Sequence, residues 1–184
     1  MTTIPELFDL TGRAAIVTGG ASGLGQYYAQ ALIGAGADVF VVSRSEKGWQ
    51  ELRQFAAQHG RQVVFMTQDL TAEQAAINVI TEFKKHFESL DILINNAGVQ
   101  IRNDIVSYRD EDWQKVIDIN LNALYYLSHE AAKVMITQKS GKIINIGSMQ
   151  SFRAGKYIYP YAASKHAVVG LTKAYADALA PYGI

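Results

Sequence analysis

Five short apolar runs, each followed by a longer segment of helical periodicity, constrain this chain more than any other feature. Arg13–Thr18 (RAAIVT), Asp38–Val42 (DVFVV), Gln62–Met66, Ile92–Asn95 and Lys142–Ile146 (KIINI) read as buried strands. Helical patterns fill the intervals over Leu24–Ile33, Glu46–His59, Glu73–Glu88, Asp112–Gln138 and Tyr159–Leu179. Glycines 34, 36 and 60 supply stops, and Pro160 is tolerated in a first helical turn. Strands apolar along their whole length need cover on both faces, and βαβ crossovers supply it with helices. The expected fold class is therefore α/β, a doubly wound parallel sheet of Rossmann-like type with right-handed crossovers.

Composition narrows the function. The chain has 184 residues, enough for one domain with a sizeable core. Lys+Arg and Asp+Glu both number 17, so the balanced charge argues against nucleic-acid binding by broad attraction. Without cysteine there is no disulfide, thiolate metal site or cysteine nucleophile. His59, His86, His129 and His166 lack metal-ligand spacing, so no metal is expected. The N-terminal MTTIPELFDLTG has no basic segment followed by an apolar run, and no stretch reaches membrane-spanning length. The expected location is the cytoplasm.

The segment Thr18-Gly19-Gly20-Ala21-Ser22-Gly23-Leu24-Gly25 joins the first strand to the first helix. Glycines there allow a tight turn and close backbone approach to a pyrophosphate, and the helix start offers unpaired N–H groups. A glycine-rich turn alone is weak evidence, but strand-before and helix-after is the context that supports it. The second strand ends in Ser43-Arg44-Ser45, with no carboxylate until Glu46. An acidic residue there would bind the ribose of NAD, whereas an arginine accommodates the 2′-phosphate of NADP. Arg44 thus favours NADP(H), unless it is only a solvated loop charge. Asp69, after the third strand, either accepts from an adenine amino group or caps the next helix.

Tyr161 and Lys165 stand four residues apart, on one helical face. A free phenol titrates near about 10, too high for a base at neutral pH, and a nearby ammonium favours the phenolate that such a base requires. Ser148 follows the fifth strand, at the carboxyl edge where open α/β sheets bind ligands, and its hydroxyl could hold a carbonyl or alcohol oxygen. Gly147-Ser148-Met149-Gln150-Ser151 lacks the second glycine of a hydrolase elbow.

Taken together these residues resemble the short-chain dehydrogenase/reductase family over essentially the whole chain. The cofactor motif Thr-Gly-x-x-x-Gly-x-Gly is matched by Thr18, Gly19, Gly23 and Gly25, and Asn-Asn-Ala-Gly by Asn95, Asn96, Ala97 and Gly98. Tyr161 and Lys165 match Tyr-x-x-x-Lys, Ser148 lies thirteen positions before the tyrosine, and Asn120 matches the family's helix-borne asparagine. The resemblance implies an NAD(P)(H) cofactor held by Thr18, Gly19, Ser22, Gly23, Leu24, Gly25, Ser43, Arg44, Asp69, Leu70, Asn96, Ala97 and Gly98, with Tyr161 and Lys165. It implies Tyr161 as acid/base, Ser148 positioning the substrate oxygen, Lys165 assisting Tyr161 and binding the nicotinamide ribose, and Asn120 maintaining a water-linked proton path. Hydride chemistry would belong to the cofactor.

Within the family the similarity is greatest to sugar-acid dehydrogenases. Gly98-Val99-Gln100-Ile101-Arg102 looks like the matching loop of gluconate 5-dehydrogenases, and 141–146 with Ser148–Phe152 looks like 2-deoxy-D-gluconate 3-dehydrogenases as well. This implies a secondary alcohol and ketone interconverted on a six-carbon acid, with Arg102, Ser148 and Gln150 touching substrate and the Arg102 fork on its carboxylate. The 2-deoxygluconate enzymes generally use NAD, so the resemblance leaves NAD open beside NADP. The resemblance also leads us to expect one domain over 1–184 holding five of seven strands and lacking the later strands and the substrate lid. Two other readings stay open: an inactive truncated fragment, and a nucleotide-sensing regulator, which would be expected to have lost Tyr161 or Lys165. Apolar residues Leu124, Tyr125, Val168 and Leu171 on the last two helices, with the family likeness, suggest a homodimer or homotetramer.

Overall fold

The structure is a computed structural model and describes residues 7–184. The segment read for a secretory signal begins at Met1, so its first six residues lie outside the described residues. Five strands form one wholly parallel sheet: β1 (Ala14–Thr18), β2 (Asp38–Ser43), β3 (Val63–Thr67), β4 (Ile92–Asn95) and β5 (Lys142–Asn145), in the order β3-β2-β1-β4-β5. Among the described residues six α-helices are set against it: α1 (Gly23–Gly34), α2 (Trp49–Gln58), α3 (Ala75–Phe83), α4 (Asp110–Ile117), α5 (Ala123–Gln138) and α6 (Tyr159–Leu179). The strand order reverses between β1 and β4, and open α/β sheets bind ligands at that switch point, outside the strand carboxyl ends.

The two-residue period of the strands divides the core. Ala14 and Ile16 of β1 join Phe40, Val42, Val79, Phe83, Leu93, Leu127 and Met135 on the α3/α5 face. Ala15 and Val17 join Ala29, Ile33, Val39, Val41, Leu52, Ile92 and Ile94 on the α1/α2 face. Residue pairing aligns Ile92 with Lys142 and Ile94 with Ile144, so these β5 residues lie on the α1/α2 face. That face ends at β5, and Ile144 is 45% exposed there.

Three helices differ from their sequence patterns, each for a local reason. The second begins at Trp49 rather than Glu46, because the Gly48 N–H is committed to the Ala21 carbonyl (2.8 Å) and Trp49 closes a turn on Glu46. The third shrinks to Ala75–Phe83: Gln74 takes a left-handed φ of 58°, and bonds to residues three back tighten the chain after Phe83. The long helix expected over Asp112–Gln138 starts at Asp110 and is interrupted by a π-turn at Asp118–Asn122. Apolar periodicity runs straight through that turn and does not mark it.

The apolar quartet cited for self-association is also partly redirected. Leu124 and Val168 are buried within the chain, which leaves Tyr125 exposed and Leu171 half-buried. Among the described residues no helix is long and apolar enough to cross a membrane.

Phe40 is fully buried and meets Phe83 edge-on at 5.7 Å, which joins β2 to α3. Truncating such a residue costs about 3–5 kcal/mol, a large part of a domain margin of roughly 5–15 kcal/mol. Phe40→Ala should lower the unfolding free energy by that amount in urea titration, and a loss below about 1 kcal/mol would contradict this packing.

Candidate active site

The carboxyl ends of β1 and β4 are fastened by one side chain. The buried Thr18 hydroxyl accepts from the Asn96 and Ala97 N–H groups (2.9 and 3.0 Å) and donates to the Ile94 carbonyl (3.3 Å). The Asn96 amide returns a bond to the Thr18 carbonyl at 2.9 Å. Chain direction then changes sharply at Gly19 (φ 65°), whose N–H is held by the Val42 carbonyl.

Helix α1 approaches this turn closely enough that Gly25 has no space for a side chain. A Cβ there would lie 2.3 Å from the Gly19 carbonyl oxygen and 2.5 Å from the Asn96 amide nitrogen. Gly23 is the opposite case: its φ is 52° and nothing lies within 4 Å of a Cβ built on it. The first-turn amides of α1 lack intrahelical partners, Ser22 makes no side-chain cap, and the turn carries no acidic residue. An open cleft of about 220 Å³ adjoins it, lined by Gly19, Ser22, Ser43, Arg44, Leu70 and Gly98 among others. Free amides, open space over Gly23 and a neighbouring cleft fit a pyrophosphate and its attached nucleoside.

Arg44 is exposed and lines both this cleft and an adjoining one with Asp69, Val99, Lys115 and Ile119. Asp69 does not cap the next helix. Its carboxylate takes the Thr71 N–H and hydroxyl (2.9 and 2.8 Å) in a local turn, and α3 begins six residues later. Those two bonds, with a smaller contribution from the Arg44 charge, hold Asp69 below the ordinary carboxylate range.

On the other side of β4, Asn120 lies in the π-turn and is 1% exposed. Its side chain reads the Val99 backbone in both directions, accepting from N–H at 2.8 Å and donating to C=O at 3.0 Å. It also donates to the Ser164 hydroxyl at 3.3 Å, which itself donates to the Tyr161 carbonyl at 2.8 Å. Thus the loop after β4, the π-turn and the start of α6 share one buried contact.

Lys165 is 5% exposed, and its ammonium donates to the Ile146 carbonyl just past β5. Burial pushes its pKa below the ordinary lysine value. The same nitrogen lies 5.8 Å from the centre of the Tyr161 ring, one helical turn back. Ser148 stands two residues beyond Ile146, at the start of a one-turn 3₁₀ segment (Met149–Ser151) that packs on α6. Its hydroxyl accepts from the Gln150 N–H at 3.1 Å, which leaves the O–H proton to donate elsewhere. The Gln150 side-chain nitrogen, in the orientation that satisfies it, donates to the Ala154 and Arg153 carbonyls.

Arg102 is exposed, in the segment between β4 and α4. That segment is tied to the loop before α6 by the Asn103 N–H on the Tyr157 carbonyl (3.0 Å), and to the start of α6 by edge-on contact of Tyr108 with Tyr159.

Several positioning residues were not singled out from sequence. Gly48 is one, since a Cβ there would strike the Ala21 carbonyl oxygen at 2.7 Å and so spoil the fit of the Arg44 loop against the glycine turn. Ser164 is another; its place directly before Lys165 was the available signal. Ser151 is a third.

Residues 13–184 match the short chain dehydrogenase family. The chain belongs to the short-chain dehydrogenase/reductase family. An uncharacterized oxidoreductase of Escherichia coli (strain K12) is 46% identical over 179 residues, 97% of this chain and 68% of that protein. The 2-dehydro-3-deoxy-D-gluconate 5-dehydrogenase of Bacillus subtilis (strain 168) is 40% identical over 179 residues, 97% of this chain and 70% of that protein. The crystal structure of a gluconate 5-dehydrogenase from Burkholderia cenocepacia J2315, in complex with NADP and tartrate, superposes with a TM-score of 0.91 at 35% identity. It covers 99% of this chain and 71% of that one. With this membership the chain is an NAD(P)-dependent oxidoreductase, and the cleft beside the glycine turn is suited to that cofactor.

The crowding at Gly25 gives a direct test. Gly25→Ala must displace the backbone of the turn, so NADPH affinity measured by fluorescence titration should fall at least about tenfold, equal to about 1.4 kcal/mol. Gly34→Ala, with nothing within 4 Å of its Cβ, should leave affinity unchanged. Equal effects of the two would contradict the close approach.

Proposed function

We propose that this chain interconverts a secondary alcohol and a ketone on a sugar acid, gluconate or a deoxygluconate being the expected class. The observation that carries the reading is that Lys165 meets Ile146 just past β5 and lies 5.8 Å from the Tyr161 ring, while Asn120 joins Val99 just past β4 to Ser164 beside Lys165, with Ser148 two residues beyond Ile146. The names of the relatives, which concern gluconate and 2-dehydro-3-deoxygluconate, support the substrate class.

In this reading the chain, 1–184, acts as one dinucleotide-binding and catalytic unit. The α1 amides at Ser22–Gly25 hold the pyrophosphate, and Arg44 with Ser43 faces the adenosine ribose and its 2′-phosphate. Leu70, Ala97 and Gly98 bound the adenosine cleft. When bound, the nicotinamide supplies the hydride acceptor or donor. In the oxidation direction Ser148 donates its free O–H to the substrate oxygen, Tyr161 takes the hydroxyl proton, and the carbinol hydrogen leaves as hydride. Lys165 spends one donor on Ile146, keeps two for ribose hydroxyls, and stabilises negative charge on Tyr161. Asn120 fixes the floor of the site through Val99 and Ser164 and supports a water-linked proton path. Arg102, exposed after β4, is the candidate for the substrate carboxylate, with Gln150, in the 3₁₀ turn after Ser148, as a second substrate contact.

A cytoplasmic location and a two-fold assembly belong to the same reading. An apolar groove of about 330 Å³, with Ala132, Ile136, Leu171 and Tyr175 among its lining, runs between α5 and α6 and suits a second copy. Light scattering should return a dimer or tetramer, and a monomer at high concentration would remove this part.

The deciding experiment is a panel of hexonates and ketohexonates with NAD(H) and NADP(H). Turnover should occur on at least one sugar acid, fall about 10²- to 10⁴-fold in Tyr161→Phe, and leave cofactor binding intact. Arg44→Asp should move cofactor preference from NADP toward NAD. Wild-type turnover in Tyr161→Phe would end the mechanism. Turnover on simple alcohols but on no sugar acid would end the substrate class alone.

A further inference from the structure

We propose that Ser151 is a positioning residue for Ser148, acting by accepting the Ser148 backbone N–H; this rests on the reading above that Ser148 meets the substrate oxygen. The two serines form a reciprocal pair across one turn. The Ser148 N–H donates to the Ser151 hydroxyl at 3.1 Å, and the Ser148 hydroxyl accepts main-chain N–H from the turn it opens, Gln150 among them. Ser151 is 3% exposed, whereas Ser148 is half-buried.

The pairing has a chemical consequence at Ser148. With its oxygen engaged by a main-chain donor, its own proton points away from the turn and is offered as a donor. A substrate carbonyl or alkoxide needs a hydrogen bond in that sense. The turn cannot hold this geometry by itself, because one 3₁₀ turn closes only the Ser151 N–H to Ser148 carbonyl bond (3.0 Å) and is followed by a single bond from Phe152 to Met149. The Ser151 side chain supplies the remaining restraint. It also packs against Gly147, where a Cβ would lie 3.3 Å from its hydroxyl oxygen, so it fixes the backbone on both sides of the peptide leading into Ser148. Capping boxes usually use Glu or Gln at this third position. Here the partner is buried, and the short neutral serine reaches the N–H without bringing a charge beside the reacting oxygen.

The role separates from a general structural one through kinetics and exchange. Ser151→Ala should lower kcat about tenfold with KM little changed, since small misplacements of a reacting group cost up to about 10²-fold. Ser151→Cys, nearly the same shape but a poor acceptor, should show the same loss, and Ser151→Thr should restore most of the rate. In Ser148→Ala the further change Ser151→Ala should cost nothing, because the residue it serves is gone. Amide exchange at Ser148 should quicken in the Ala and Cys variants and not in Thr. Wild-type kcat in Ser151→Cys, unchanged Ser148 exchange, or losses that multiply in the double variant would overturn the proposal. Wild-type turnover in Ser148→Ala would instead remove the reading on which it rests, and the proposal with it.

Discussion

The Thr18 hydroxyl is the contact on which the site depends. It closes the gap between β1 and β4, where the strand order reverses and no intervening strand can hold the two loops. Each of its hydrogen bonds contributes only about 0.5–1.5 kcal/mol net, but all its partners are main-chain groups at the switch point, and leaving them unpaired would cost about 1–3 kcal/mol each. Gly19 turns from this point, and α1 is seated against it through Gly25. The amides free to meet an anion therefore inherit their position from one buried threonine.

The helix bearing Tyr161 and Lys165 is located in the same way, by polar contacts of fixed length rather than by apolar area alone. Lys165 reaches Ile146, Ser164 reaches Asn120, and Thr172 accepts from Asn145 at 3.0 Å. Asn145 in turn accepts from Asn95 at 2.9 Å, and Asn95 also donates to Ser128 of α5 at 2.8 Å. The chain thus runs from α6 through β5 and β4 to α5. Among the described residues every buried side-chain nitrogen and oxygen has a partner. A satisfied network of this kind fixes register, where packing would tolerate sliding.

β1, β2 and β4 were legible because burial on both faces writes an unbroken apolar run, whereas β3 and β5, at the sheet edges and only partly buried, were legible from short β-branched runs; all five lie within one residue of their sequence bounds. The glycine turn was legible from a strand before it and a helix after it, and the placement of Tyr161 and Lys165 one turn apart on α6 from their spacing; their roles came from the family resemblance. The π-turn at Asp118–Asn122 was not, since one extra residue per turn leaves the apolar pattern of the flanking helices nearly intact. Asp69 was ambiguous because its role depends on whether Thr71 or a helix N–H reaches it first. Ser151 and Gly48 were missed because each meets a backbone group in a turn, and a lone serine or glycine there carries no signal of that; Ser164 was missed because its partner across the fold, Asn120, lies 44 residues away.

In the proposed function, nucleotide is held by the backbone around the β1–β4 switch point. Hydrogen–deuterium exchange with and without saturating NADPH tests it at the amides concerned. Exchange should slow only at 19–25, the 43–45 loop, 96–99 and the start of α6, with the groove between α5 and α6 unchanged. Unaltered exchange at 19–25 and 96–99 while NADPH is bound would contradict it.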